Sequence, residues 1–444
     1  MDDAVRQPSL PWAPAPTRRV KSGAAAWDPL LVCVAVYVAT SVGRVHQLFP
    51  ALLPFKPALL SAVLAIGLLL LDRSASRRVS LFRSRTTVCL VGLLVWAALS
   101  VPGALNQGLA FQAWTDFVRT VVMFFVIAGS VRNDRDVERL ALVYFTVTVV
   151  YTAVVLTRFQ LGADSWRLGR LYYYDANDMA TLIATAMPLG LYFVLAHPRP
   201  LPRVLALAGL AVLAVGLIRS GSRGGFLALL AVTAFVLLGF TTVPARARLA
   251  ALIVILAVAG TSASDRYWAQ MQTIVHPHED YNATSEAGRL KIWARGVGYM
   301  VENPVFGVGL LNFQVAEGTI SPLAKRQERG IGVLWGAAHN TFVQVGAELG
   351  IPGLLLFIGV VATAFRSLRR VAAQPARASP TVDQVARLAQ SLMAAIIGFV
   401  VGAFFLSLGF ADMFYTLVAL AVALAKSARR ETARSAPQPH SIPA

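Results

Sequence analysis

The sequence predicts an all-α fold: a polytopic integral membrane protein with about twelve transmembrane helices and one large loop on the outer face. Three observations predict it. Of 444 residues, 57% are hydrophobic and only 14% charged, with a mean hydropathy of +0.63, far outside the range of soluble domains. Apolar stretches of roughly 20 residues, the length that crosses a bilayer as a helix, recur along the chain. Most Lys and Arg residues fall in alternate connections, as the positive-inside tendency requires when both termini are cytoplasmic.

Taken in order, residues 1–27 are rich in Pro, Ala and Arg without an apolar core, which predicts a disordered cytoplasmic tail rather than a cleaved signal peptide. Nine spans follow within 28–263, near 28–48, 52–71, 86–104, 110–131, 137–157, 178–196, 203–219, 223–241 and 248–263. The first of these doubles as an uncleaved insertion signal. Three more lie within 340–427, near 340–365, 388–408 and 411–427, and a second cytoplasmic tail, 428–444, completes the chain. Cys33 and Cys89 sit in separate apolar segments, which excludes a disulfide framework or a Cys-based metal site. The net charge of +18 is spread between hydrophobic helices instead of forming a dense basic patch, so it reports topology and not a nucleic-acid partner.

Residues 264–339 form the exception among otherwise short outer connections, a periplasmic loop too long for a plain connector. Within it, "AGRLKIWARGVGYMVENPVFGVGLLNF" (287–313) shows helical spacing of apolar residues up to Val301, then Pro304, Gly307 and Gly309 break the pattern. The expected structure is a short amphipathic helix, a turn, and further short helical or irregular segments on the outer surface.

The outer side also carries arginines that the positive-inside tendency disfavours, among them Arg158, Arg167, Arg170, Arg219, Arg223, Arg266, Arg289 and Arg295. "RSGSRGGF" (219–226) sets two arginines four residues apart among small residues at the start of a span. Free backbone N–H groups beside guanidinium forks suit a phosphate or pyrophosphate, although the same residues also suit a polar turn meeting lipid headgroups. In "GRLKIWARG" (288–296), Arg289 and Trp293 share one helix face, and Trp293 reads as an interfacial aromatic. In "RLYYYDANDMA" (170–180), Asp175 or Asn177 caps the next span, with Tyr172, Tyr173 and Tyr174 lining the interface. "IVHPHED" places His276 and His278 in a loose His-x-His, a weak metal signal.

"GAAHNTFVQVGAELGIPG" (336–353) closes the loop with His339, and Asn340 reads as the N-cap of the tenth span. An imidazole at that surface can take a proton from an attacking hydroxyl, and nearby guanidiniums favour its neutral form. Glu348 falls nine residues later on the opposite helix face, about 13 Å deeper, so it does not orient His339. A neighbouring helix is expected to supply its partner, with Arg119 in the fourth span a conceivable mate.

These residues resemble the O-antigen ligase and polymerase superfamily of bacterial envelope enzymes. The matching features are the twelve-span plan with a large late periplasmic loop, "SRGGFLALL" (222–230), "GRLKIWARG" with "NPVFGVGLLNF" (288–313), and above all "HNTFVQVGAELGIPG" (339–353). The resemblance implies an inner-membrane glycosyltransferase, inverting and metal-independent, with no cofactor. Its donor would be an undecaprenyl-pyrophosphate-linked glycan and, in the ligase branch, its acceptor lipid A-core. It implies His339 as the base and Arg289 and Arg223 as pyrophosphate-binding residues. Arg219, Arg167 and Arg170 join the binding set on outer-side position alone. Metal-dependent glycosyltransferases need clustered carboxylates, and this reading expects no Asp-x-Asp anywhere in the chain, with arginine taking the metal's place.

The moderate size of the loop favours the ligase. An O-antigen polymerase or a protein O-oligosaccharyltransferase shares the donor chemistry and stays open. A transporter of polyprenyl-linked glycans would show ionisable residues deep in several spans and repeated halves; the sequence shows few such residues, chiefly Arg119 and Glu348, and no repeating halves.

Overall fold

A computed structural model describes residues 27–74, 77, 81–158, 166–168, 173–196, 198–246, 248–249, 253, 257, 260–261, 263–276, 285, 288–325, 336–373 and 380–435. The predicted ninth span, nearly all of the N-terminal tail, and Arg170, Tyr172 and His278 fall mostly or wholly outside these residues. Among the described residues every regular element is a helix.

The first half of the chain contributes α1 (Pro29–Ser41), α2 (Val45–Leu48), a 3-10 turn (Pro50–Phe55) and α3 (Pro57–Leu71). After them come α4 (Arg85–Ser100), α5 (Gln107–Ser130), α6 (Asp134–Arg158), α7 (Ala176–Ala196), α8 (Pro200–Ser220) and α9 (Arg223–Gly239). Four short helices follow: α10 (Asp265–Gln272), α11 (Arg289–Glu302), α12 (Phe313–Thr319) and α13 (Pro322–Lys325). The last three are long: α14 (Thr341–Ala372), α15 (Pro380–Ala403) and α16 (Asp412–Ser435).

Among the described residues seven helical stretches are long and apolar enough to cross a bilayer: Pro50–Leu71, Gln107–Ser130, Asp134–Arg158, Ala176–Ala196, Pro200–Ser220, Thr341–Ala372 and Asp383–Ala403. Helices α1, α4 and α9 are apolar but shorter. The expected first span, 28–48, shows why an apolar run need not be one helix. Arg44 adopts a left-handed conformation (φ 48°), so α1 stops after 13 residues and a bent connection takes over.

Helices α7 and α15 form the centre of the bundle. Of their most apolar stretches 78% and 72% of residues are buried, against 11% for Pro50–Leu71 at the periphery. Close approach is bought with small residues: Gly398 and Gly402 of α15 lie against Ala184 and Thr181 of α7, where a Cβ would collide. In lipid, helix association depends on such van der Waals fit, because burial from hydrocarbon gains little.

One end of the bundle is tied by an ion network. The Arg77 guanidinium pairs with Asp28 and Asp72 and donates to the Ser130 carbonyl (2.8 Å). Arg132 joins Asp28 (3.0 Å) to Asp136 (2.7 Å), and Arg139 meets Asp136 at 3.0 Å. The Lys426 ammonium donates to the Ala128 carbonyl at 2.8 Å.

Helix α14 is two helices joined at Gly350 (φ 69°, ψ −171°). Pro352 has no N–H to offer the Glu348 carbonyl, and the Ile351 N–H is turned away to the Pro304 carbonyl (2.8 Å). The segment after α11 repairs the break. Val308 donates to the Ala347 carbonyl (2.8 Å), Gly309 to the Glu348 carbonyl (3.0 Å), and Trp96 Nε1 to the Leu349 carbonyl (3.0 Å). Gly307 has φ 64° and lies so close to the Ala347 and Glu348 backbone that a Cβ has no room.

This arrangement corrects the expectation that Glu348 pairs with Arg119. Arg119 is exposed and pairs with Asp116 on its own helix. Glu348 is buried against the Leu311 and Phe313 backbone and takes a long 3.5 Å contact from Gln344, while its Oε2 has no hydrogen-bond partner. The two side chains part because Arg119 lies on the outward face of α5, whereas Glu348 faces the inserted 304–313 segment.

Candidate functional site

The site is built at the start of α14. Asn340 caps the helix, its Oδ1 accepting from Phe342 N (2.9 Å) and Val343 N (3.1 Å), as its residue type and position predict. His339 directly precedes the cap in a left-handed conformation (φ 47°), which a residue with a Cβ adopts only under constraint. The constraint comes from the segment joining α15 to α16. His339 N donates to Ser407 Oγ (2.9 Å), Thr341 Oγ1 donates to the Leu406 carbonyl (2.8 Å), and Leu408 N donates back to Thr341 Oγ1 (2.9 Å).

Helix α11 packs beside it. Its buried face is Ile292, Gly296 and Tyr299, the helical spacing legible in the sequence. Trp293 is more than an interfacial aromatic: Nε1 donates to the Ala338 carbonyl (3.0 Å) and the ring lies edge-on to Phe404 with centroids 5.4 Å apart. The tryptophan thereby pins the residue next to His339. Arg295 is held by Glu317, Nε to Oε1 at 2.8 Å and a second nitrogen to Oε2 at 2.6 Å, while Tyr299 donates to the same carboxylate (2.8 Å). Its charge serves the fold of the loop.

Arg289, the first residue of α11, acts on His339 electrostatically. Burial, and after it the Arg289 cation, hold the imidazole below its usual value of 6.5, with Asp175 opposing. Both larger effects favour the neutral base. Asp175 is the N-cap of α7, its Oδ1 accepting from Asn177 N and Asp178 N at 2.7 Å each.

Arg223 opens α9, where Ser222 Oγ accepts from Gly225 N (3.1 Å) and Gly221, at φ 58°, ends α8. Its guanidinium donates to Thr273 Oγ1 (2.6 Å) just past α10. Gly224 abuts Phe405, whose ring also lies 6.4 Å from that of Trp293. Gly224 of α9 and Trp293 of α11 therefore both lie against Phe405, two residues before the Ser407 that holds His339. Arg167 is engaged by Ser220 O (2.7 Å) and Asn177 Oδ1 (3.1 Å). Arg219 is exposed in the last turn of α8, and its carbonyl accepts from Leu168 N.

The expectation that the chain holds no Asp-x-Asp is corrected by Asp134-Arg135-Asp136. It begins α6, at the end of that helix remote from Arg158, and Asp136 is fully buried and committed to Arg132 and Arg139.

Sequence reasoning passed over Ser407, Asp412 and Arg44. The Arg44 guanidinium stacks 3.5 Å over the Tyr173 ring and lies 3.9 Å from Asp412, and the Tyr174 hydroxyl donates to the Val42 carbonyl (2.9 Å). A lone cation inside an apolar run was the available signal for Arg44. Ser407 in "FFLSLGF" offered none.

Residues 208–358 match the family model described as O-antigen ligase. The match runs from within α8 to within α14 and takes in Arg219, Arg223, Arg289 and His339. It supports the O-antigen ligase and polymerase superfamily of glycosyltransferases for this chain. No curated protein matches the chain.

Proposed function

We propose that the protein is an O-antigen ligase. In this reading an undecaprenyl-pyrophosphate-linked glycan is the donor and lipid A-core the acceptor, at the periplasmic face of the bacterial inner membrane with both termini cytoplasmic. The observation that carries the reading is His339, constrained in backbone and with its proton affinity lowered by burial and by the Arg289 cation at the start of α11, inside the stretch that matches the ligase family.

The acceptor hydroxyl attacks the anomeric carbon as the bond from that carbon to the pyrophosphate oxygen breaks. The unprotonated ring nitrogen of His339 takes the hydroxyl proton and later releases it to water. Negative charge grows on the departing polyprenyl pyrophosphate, and Arg289 and Arg223 stabilise it, with Arg219, Arg167 and Arg170 as weaker members of the binding set. Attack opposite the leaving group inverts the anomeric centre. No divalent ion enters the scheme, because guanidiniums neutralise the diphosphate.

Purified protein incubated with a polyprenyl-pyrophosphate glycan and either lipid A-core, a second donor molecule or a pilin-like protein tests this directly. Glycosylated lipid A-core supports the ligase. Extension of the second donor makes it a polymerase, and a glycosylated pilin an O-oligosaccharyltransferase.

A further inference from the structure

The turn that joins α15 to α16, residues 404–411, lies outside the stretch 208–358 that matches the ligase family, yet three elements of the site lean on it. Phe404 lies edge-on to Trp293 of α11, with centroids 5.4 Å apart, and Phe405 abuts Gly224 of α9. Ser407 Oγ accepts from the His339 N–H at 2.9 Å. The elements that carry Arg289, Arg223 and His339 therefore share one seat.

Thr341 fastens that seat to the first turn of α14. Its side chain is fully buried, and its Oγ1 donates to the Leu406 carbonyl (2.8 Å) while accepting from the Leu408 N–H (2.9 Å). Both capacities of one hydroxyl are thus committed to the two residues that flank Ser407. On the same face of α14, Gln344 Oε1 accepts from the Gly409 N–H (3.4 Å), and the Tyr415 hydroxyl of α16 donates to the Gly409 carbonyl (2.8 Å). The turn cannot shift without stranding these buried backbone groups, so the position of Ser407 Oγ is fixed. His339 needs such a fixed acceptor, because a residue with a Cβ leaves the left-handed region when nothing holds it there.

We propose that this turn is the positioning element of the site, with Ser407 and Thr341 as positioning residues that set the direction of the His339 imidazole. The inference rests on the transferase reading above, in which His339 is the base. It adds that two hydroxyls 66 residues apart act as one clasp. Thr341 holds Leu406 and Leu408, and Ser407 between them holds His339.

Steady-state transfer and hydrogen exchange resolved to single amides, on the full chain in lipid nanodiscs, test it. Thr341→Val keeps the volume and removes the hydroxyl, Thr341→Ser keeps the hydroxyl, and Ser407→Ala removes the acceptor from a half-buried position. Thr341→Val and Ser407→Ala are each expected to lower kcat about ten- to a hundredfold with donor and acceptor KM within about twofold. Thr341→Ser is expected to restore most of the rate, and the double variant to fall no further than the worse single one. A kcat per folded molecule that stays at the wild-type value, with only thermal stability reduced, would overturn the positioning role; so would Thr341→Ser as slow as Thr341→Val.

Exchange gives a readout independent of turnover. Thr341→Val takes no partner from the His339 amide, yet the clasp predicts that this amide, bonded to Ser407, exchanges about tenfold faster. An unchanged His339 amide in that variant overturns the clasp. If the amide responds but the wild-type protein transfers glycan to none of lipid A-core, a second donor and a pilin-like protein, the clasp stands and the transferase reading falls.

Discussion

His339 holds a backbone conformation that neighbours must impose, and the imposing atoms are Ser407 Oγ on one side and the Asn340 cap on the other. The base role proposed for it yields a graded expectation: His339→Ala lowers transfer roughly a hundred- to ten-thousandfold while membrane insertion is unchanged, read by lipopolysaccharide banding in a complemented deletion strain. The acid limb of the pH profile follows in sign. Protonation removes the base, and because burial and Arg289 lower the imidazole's affinity for protons, activity persists below pH 6.5 before it falls. Arg289→Ala removes one of those causes, so the limb moves toward higher pH, besides an expected loss of about a hundredfold in kcat/KM. An unmoved limb in that variant separates Arg289 from His339. Arg295 gives the contrast: Arg295→Ala strands a buried Glu317 and costs about 3–5 kcal/mol, seen as lower thermal stability without a specific rise in donor KM. From sequence the two arginines of "GRLKIWARG" were equivalent outer cations. Glu317, 22 residues from Arg295, separates them, and no local pattern pairs residues so far apart.

At the scale of elements, the site depends on a broken helix and the segment that mends it. Gly350 and Pro352 leave carbonyls of α14 without helical donors, and residues 304–309 supply the missing N–H groups. Gly307→Ala is strained twice, by its positive φ and by contact with the Ala347 and Glu348 backbone, and is expected to cost about 1–3 kcal/mol and to impair transfer. Gly298→Ala on the neighbouring helix meets nothing within 4 Å and is expected to be neutral or to stabilise by up to about 1 kcal/mol. Thermal unfolding of both variants in one detergent makes the comparison; equal effects would detach the mended break from stability. The glycines and Pro304 were legible as interruptions of a helical pattern. Their destination was not, because the groups they satisfy lie some 40 residues later, across a tertiary contact.

At the scale of the whole molecule, the bundle has an ion-paired end and an end that carries the proposed site. Arg77, Arg132 and Arg139 with Asp28, Asp72 and Asp136 lock helix termini together at the first, while His339, Arg289 and Arg223 belong to the other. If arginines alone neutralise the diphosphate, transfer survives chelator treatment; a strict divalent-ion requirement, measured as lost turnover restored by added metal, would count against that chemistry. The amino-acid sequence by itself determined the membrane class, the helix caps at Asp175 and Asn340, and the likeness to the ligase family, because hydropathy, capping and motif spacing act over a few residues or one turn. Only the tertiary structure decided that Glu348 faces the 304–313 segment and not Arg119, that Trp293 anchors the loop beside His339, and that Arg44 meets Tyr173 and Asp412. Those outcomes depend on which helix faces meet, and that is settled by packing between segments far apart in the chain.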